Sequence, residues 1–265
     1  MKTKTVVITG SSSGIGYALA NKFQESNHHV YGLSRRTPKE DFLWTQIATD
    51  LTKEDEIRKA IKRVEEEEGQ IDLLINCAGM GFAGALEDTS PSNMSYVFEV
   101  NVLAPMMLIQ QALPLLKKSE DPRIVNIGSV ASEITIPFQT LYSMSKSALM
   151  RLTEGLRMEL KPFGVQVTTI LPGDTKTEFT SNRRLLTEKT SPYYQRAKRS
   201  VDKMARDEAN GMDVESVVKL VCKEVRRKRM HVYRTVGFKN KVFVFLSRLL
   251  PTRIREMIIY KLYAS

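Results

Sequence analysis

Short apolar runs rich in β-branched residues alternate with longer amphipathic stretches along this chain, and that rhythm constrains the fold more than any other feature. The runs fall at Thr5–Thr9, His29–Ser34, Gln46–Thr49, Leu73–Asn76, Arg123–Ile127, Gln166–Leu171 and, more weakly, Met230–Tyr233. They show little polar–apolar alternation, as expected of strands covered on both faces. Helical patterns at Gly16–Ser26, Lys53–Glu68, Ser92–Leu116, Leu141–Lys161 and Val214–Arg227 lie between them. Strand–helix–strand repetition of this kind builds a parallel sheet. The expectation is an α/β chain with a doubly wound parallel sheet of about seven strands, flanked by helices on both faces, binding its ligand at the strands' carboxyl ends.

With 265 residues, 42% of them hydrophobic, the chain can bury a sizeable core without disulfides or metals, and the length suits a single domain over 1–265. Cys77 and Cys222, with His28, His29 and His231, have no metal-ligand spacing, so no metal is expected. Two isolated thiols suit a reducing compartment. The apolar run Val6–Ile8 is too short for a signal peptide, and no uninterrupted apolar stretch is long enough to span a membrane. A cytoplasmic location is the expectation.

Between 174 and 212 the rhythm breaks. That segment shows no convincing strand and is rich in Ser, Thr and Asn. Following a strand's carboxyl end, it is read as a substrate lid or loop region, the alternative being a variable surface loop.

Thr9-Gly10-Ser11-Ser12-Ser13-Gly14-Ile15-Gly16 follows the first strand and opens the first helix. Its glycines let the backbone turn sharply and approach a pyrophosphate, while the helix start offers unpaired N–H groups. Gly10, Ser12, Ser13, Gly14, Ile15 and Gly16 are therefore candidate cofactor contacts. The TGxxxGIG spacing resembles the short-chain dehydrogenase/reductase superfamily, in its single-domain, Rossmann-type form.

That resemblance implies a nicotinamide cofactor. The second strand ends Gly32-Leu33-Ser34-Arg35-Arg36, without the acidic residue that would select NAD. Two guanidiniums can instead grip a 2′-phosphate, so Ser34, Arg35 and Arg36 favour NADP(H) over NAD(H). Many NADP-linked relatives carry a second basic residue in the glycine turn, where this chain has Ser13. Asp50 and Leu51 resemble the family's adenine-contacting pair. Asn76-Cys77-Ala78-Gly79 resembles its NAG motif, with Ala78 and Gly79 leaving room for the ribose and Asn76 better suited to tying strands together.

Tyr142-Ser143-Met144-Ser145-Lys146 is a YxxxK pattern whose four-residue spacing places both side chains on one helix face. A nearby lysine ammonium is expected to lower the phenol's pKa from about 10. Ser129, thirteen residues before Tyr142 at the end of a strand, matches the family's catalytic serine. Asn101 resembles the fourth member of the set, and with Pro105 it suggests a local helix distortion and a bound water in a proton route. Pro172-Gly173-Asp174-Thr175-Lys176-Thr177 matches PGxxxT, which implies that Pro172, Gly173, Thr175 and Thr177 hold the nicotinamide carboxamide. The resemblance runs from about Lys4 to Thr177 and implies hydride transfer between the cofactor and a carbonyl or alcohol substrate. Tyr142 would be the acid or base, Ser129 the oxygen holder, and Lys146 with Asn101 the relay. The rival reading is a nucleotide-sensing scaffold that performs no chemistry.

Met80, Phe82, Ile136, Phe138 and Phe179 adjoin motif residues, so a steroid-, retinoid- or acyl-like substrate is expected first and a sugar second. Charge is uneven: residues 183–265 carry 21 Lys and Arg against 8 Asp and Glu, and residues 1–182 carry 19 against 22. The segment 238–265 reads as a basic amphipathic C-terminal extension, suited to peripheral contact with an anionic membrane or to packing on protein. No recognition motif supports nucleic-acid binding. Family members pair through long central helices, which implies a homodimer or homotetramer.

Overall fold

The computed structural model describes residues 2–36, 42–179 and 183–264. Its strands are β1 (Thr5–Thr9), β2 (His29–Ser34), β3 (Thr45–Ala48), β4 (Leu73–Asn76), β5 (Phe82–Ala83), β6 (Arg123–Ile127), β7 (Gln166–Leu171), β8 (Arg184–Leu185) and β9 (Tyr233–Thr235). Its α-helices are α1 (Gly14–Glu25), α2 (Glu54–Glu68), α3 (Pro91–Phe98), α4 (Ala104–Leu116), α5 (Thr140–Glu159), α6 (Tyr194–Ala209), α7 (Val214–Val225), α8 (Phe238–Leu249) and α9 (Thr252–Tyr263). Among the described residues, seven strands form one sheet in the order β3-β2-β1-β4-β6-β7-β9, every neighbour pair parallel.

Successive side chains on a strand point to opposite faces, and here both faces are apolar. Val6, Ile8, Leu73, Ile75, Val125 and Ile127 pack under α1 and α7, against Leu19, Phe23, Val217 and Val221. Val7, Leu74, Ile124 and Val167 pack on the other side, against Ile57, Leu108, Leu116 and Leu156 of α2, α4 and α5. The sheet is thus doubly wound. The chain leaves the β3 edge and crosses to β4, on the far side of β1, so strand order reverses between β1 and β4. A crevice opens at the carboxyl ends of such a pair.

The turn after β1 faces that crevice. Gly10 has φ +69°, and a Cβ on Gly16 would lie 2.3 Å from the Gly10 carbonyl oxygen, so α1 can start this close to the strand end only without side chains there. Ser13 caps α1 in an extended conformation with no side-chain bond to the helix.

Some elements differ from the sequence expectation. The helix expected over Ser92–Leu116 is interrupted by a π-helical turn at Glu99–Leu103, the distortion anticipated around Asn101. By length and composition the run Pro91–Leu116 could cross a membrane, but Val97, Leu108, Ala112 and Leu116 lie in the protein interior. The last strand of the sheet starts at Tyr233 rather than Met230, where Val236 N–H donates to Leu171 O and Thr169 N–H to Val232 O. Within 174–212, where no strand was expected, β8 pairs with β5 and α6 follows; residues 180–182 of that segment lie outside the described residues. The C-terminal extension folds into α8 and α9, with Ser265 outside the described residues.

Because Gly16 has no room for a methyl group, Gly16→Ala is expected to cost about 1–3 kcal/mol. A urea titration measures this; an unchanged midpoint would contradict the packing.

Candidate active site

A cleft of about 720 Å3 runs along the crevice between β1 and β4. The ends of these strands are locked: Thr9 Oγ1 accepts from the N–H groups of Cys77 (2.9 Å) and Ala78 (3.0 Å). Gly10, Ser12, Ser13, Gly14, Ile15 and Gly16 line its middle, opposite Ala78 and Gly79. The uncapped start of α1 is a ready anion site, of a kind suited to a pyrophosphate.

At one end stand Ser34, Arg35, Arg36, Asp50 and Leu51. Ser34 is buried; its hydroxyl donates to Arg36 O and accepts from Gln46 Nε2, both at 2.9 Å. It therefore shapes the β2–β3 edge, while Arg35 and Arg36 are exposed at the cleft mouth. Arg35 Nη1 donates to Tyr96 Oη at 3.1 Å. Burial opposes ionisation of Asp50, but hydrogen bonds from the Thr52 N–H and hydroxyl, with the Arg35 charge, outweigh it and hold the carboxyl below its ordinary value.

Asn76, a candidate cofactor contact by its motif and a strand tie by its chemistry, serves as the tie. It does not line the cleft. Its Nδ2 donates to Asn126 Oδ1 at 2.8 Å, and Asn126 Nδ2 donates to Thr153 Oγ1 at 2.9 Å, so it ties β4 to β6 and to α5.

At the other end Ser129, Tyr142 and Lys146 converge with Pro172, Gly173, Thr175 and Thr177. Ser129 closes β6 and caps a short 3-10 turn, its Oγ accepting from Ala131 N–H at 3.1 Å. Its hydroxyl stands close enough to the Tyr142 phenol to favour the phenolate. The expectation that Lys146 lowers the phenol's pKa is not met. Burial pushes Tyr142 up to about 12, Glu208 adds to the rise, and only the Ser129 hydrogen bond and the Arg183 charge pull it down. Lys146 is turned to the sheet: its Nζ donates to Ile127 O at 3.0 Å and stands 5.9 Å from the Tyr142 ring centroid. Burial also lowers Lys146 itself, to about 8.

Asn101 is buried in the π-helical turn, behind the cleft wall. Its Nδ2 donates to Met80 O (2.9 Å) and Ser145 Oγ (3.0 Å), and its Oδ1 accepts from Met80 N–H (2.9 Å). The side chain is thus a strap between the β4 loop and α5. The PGxxxT loop is fixed from behind, with Thr175 Oγ1 donating to Gly173 O and Met212 N–H to Asp174 O, both at 2.9 Å.

Of the five apolar side chains expected at the substrate, Met80, Ile136 and Phe179 line the cleft. Phe82 and Phe138 do not: Phe82 is buried in β5 beside the Tyr96 ring, and Phe138 stacks under the Arg196 guanidinium, 5.8 Å away. Beyond the lid reading of 174–212, the remaining wall residues are not singled out by sequence. Met204 of α6, Phe243 of α8, and Ile259 and Tyr263 of α9 complete the wall. So do Arg183 and Glu208, a buried ion pair with side chains 2% and 13% exposed. Arg183 Nε and Nη1 are buried with no hydrogen-bond partner. Asp174, beneath this pair, is pushed up to about 6 by burial and by the charges of Asp207 and Glu208. No periodicity marks these positions, and in a basic stretch they read as surface charge.

Comparison with known proteins gives the chain's family and fold. The family model described as short chain dehydrogenase matches residues 4–186. The 3-ketodihydrosphingosine reductase of Bacteroides thetaiotaomicron is 34% identical over 239 residues, 89% of each chain. A short chain dehydrogenase/reductase from Burkholderia phymatum, solved in complex with NAD, superposes with TM-score 0.82 at 23% identity over 97% of this chain and 95% of its own. One from Burkholderia cenocepacia, solved in complex with NADP, gives 0.77 at 22% over 97% and 98%. The chain is an oxidoreductase that belongs to the short-chain dehydrogenase family.

Proposed function

We propose that this protein is an NADP(H)-dependent carbonyl reductase of the CH-OH class, acting on a ketone with a long apolar chain. The observation that carries this reading is the convergence of the buried Tyr142 phenol with Ser129 and Lys146 at one end of a dinucleotide-sized cleft whose other end presents Arg35 and Arg36. The cleft's features fit a nicotinamide dinucleotide: the uncapped start of α1 would hold the pyrophosphate, Asp50 and Leu51 the adenine, and Arg35 and Arg36 a 2′-phosphate. When bound, that cofactor supplies the hydride.

The chain's own residues handle the oxygen and the proton. A phenol pushed up to about 12 is fully protonated at neutral pH, so Tyr142 stands ready as the acid that reduction needs. Its proton goes to the carbonyl oxygen as the C=O π pair moves onto that oxygen. Ser129 donates to the same oxygen and stabilises its developing charge. Lys146, brought down to about 8, restores the phenol's proton, and Asn101 is a positioning residue that holds α5 and the Met80 loop in register around it. The Pro172–Thr177 loop holds the nicotinamide face.

The apolar wall of Met80, Ile136, Phe179, Met204, Ile259 and Tyr263 supports a lipophilic substrate. The name of the Bacteroides thetaiotaomicron relative supports a long-chain keto compound of the 3-ketodihydrosphingosine kind. In this reading 1–265 is one catalytic domain and 174–212 is the lid, because it carries Arg183, Met204 and Glu208 to the wall. Exposed Leu103, Met106, Met144 and Met158 on the central helical elements support pairing of copies through them.

Tyr142→Phe is expected to lower kcat about 10²–10⁴-fold while NADPH still binds, measured by loss of cofactor absorbance and by fluorescence titration. Near-normal turnover would contradict the assignment. Arg35→Asp is expected to raise the KM for NADPH roughly tenfold or more and leave that for NADH little changed. An unaltered NADPH/NADH preference would remove the basis for NADP(H).

A further inference from the structure

Helices α8 and α9 are amphipathic in the wrong sense for a protein surface. On α8 the residues turned to the protein are Asn240, Phe243, Val244 and Ser247, of which Val244 and Ser247 are buried and two of the four are polar. Phe238, Val242, Phe245, Leu246 and Leu249 recur at i, i+4, i+7, i+8 and i+11, one continuous stripe on the opposite side. That stripe faces solvent: Phe238 is 80%, Phe245 61% and Leu249 65% exposed. On α9 the buried Ile259 marks the inner side, and Ile254, Met257, Ile258 and Leu262 form a second exposed stripe.

Basic side chains border these stripes. At 3.6 residues per turn Lys239 lies on one flank of the α8 stripe, with Lys241 and Arg248 on the other. Arg248 is held by Glu133, and Lys239 and Lys241 are exposed. Arg253 and Lys261 belong to α9, and Glu256 is the one acidic residue between 238 and 264. An apolar stripe edged by cations matches a bilayer interface, where the apolar side chains enter the acyl boundary and the cations meet anionic headgroups. A second copy of the same face would set cation against cation, which costs affinity. The inner sides of these two helices also wall the cleft through Phe243, Ile259 and Tyr263.

We propose that α8 and α9 form a membrane-docking face for anionic bilayers, placing the substrate end of the cleft at the lipid surface. Substrate then enters from the bilayer rather than from water. This delivery step rests on the long-chain substrate reading; the docking itself does not.

The test is flotation of the full chain with vesicles of phosphatidylcholine alone and of phosphatidylcholine with phosphatidylserine, read without any activity. The wild type is expected to float with the anionic vesicles. Phe245→Asp with Leu249→Asp should lower vesicle affinity more than about tenfold. Lys239→Glu with Lys241→Glu should lower it by about fivefold or more for each residue, and only on anionic vesicles. These side chains lie outside the cleft, so melting temperature and NADPH binding are expected to stay at wild-type values and report intact folding. Failure of the wild type to float, or equal flotation of the variants, overturns the proposal. So does light scattering in which the Phe245/Leu249 variant loses an oligomer that the wild type forms, because the face is then a contact between copies.

Discussion

A chain of buried hydrogen bonds runs from the centre of the sheet to the helix that carries the reactive side chains. Asn76 donates to Asn126, Asn126 to Thr153, and Thr153 pairs with Thr169 at 2.7 Å. These residues sit on β4, β6, α5 and β7, and all four are 2% exposed or less. In a low-dielectric interior breaking any of these bonds would strand a buried polar group, which favours one roll and one register of α5 on the sheet. That roll points Tyr142 and Lys146 into the crevice at the strand ends. Asn101 fixes the same helix a second time through Ser145.

The reactive end inherits its character from this burial. An apolar, water-poor setting raises Tyr142 to about 12 and lowers Lys146 to about 8, moving apart two groups whose ordinary values nearly coincide. The phenol stays an acid and the lysine becomes able to exchange its proton near neutrality. The charges of Arg183 and Glu208, brought in by the segment after β7, act on the phenol with opposite signs. The segment that walls the substrate thus also bears on the acid.

The sequence disclosed what is governed by local rules. Strands buried on both faces, the glycine turn, the four-residue Tyr142–Lys146 spacing and Ser129 at a strand end are each written in consecutive residues. What escaped depends on distant packing. Asn76 reads as a strand tie, but nothing local names its partner Asn126, which stands opposite it in register. Lys146 is four residues from Tyr142, but the Ile127 carbonyl takes its ammonium. Arg183 and Glu208 find each other across 25 residues without a pattern. Phe138 adjoins the catalytic segment, but its positive φ of 63° turns it to Arg196. The exposed stripe on α8 was legible as periodicity; which side faced the protein was not.

In the proposed reaction hydride and proton meet at one carbonyl beside Tyr142. This is tested most directly with NADPH deuterated at the transferring position of C4 and a long-chain ketone, followed by mass spectrometry of the product alcohol. One deuterium is expected on the carbinol carbon, in product that the Tyr142→Phe protein barely forms. Cofactor that binds without transferring deuterium to any ketone tested, or equal labelling by the Tyr142→Phe protein, would contradict it.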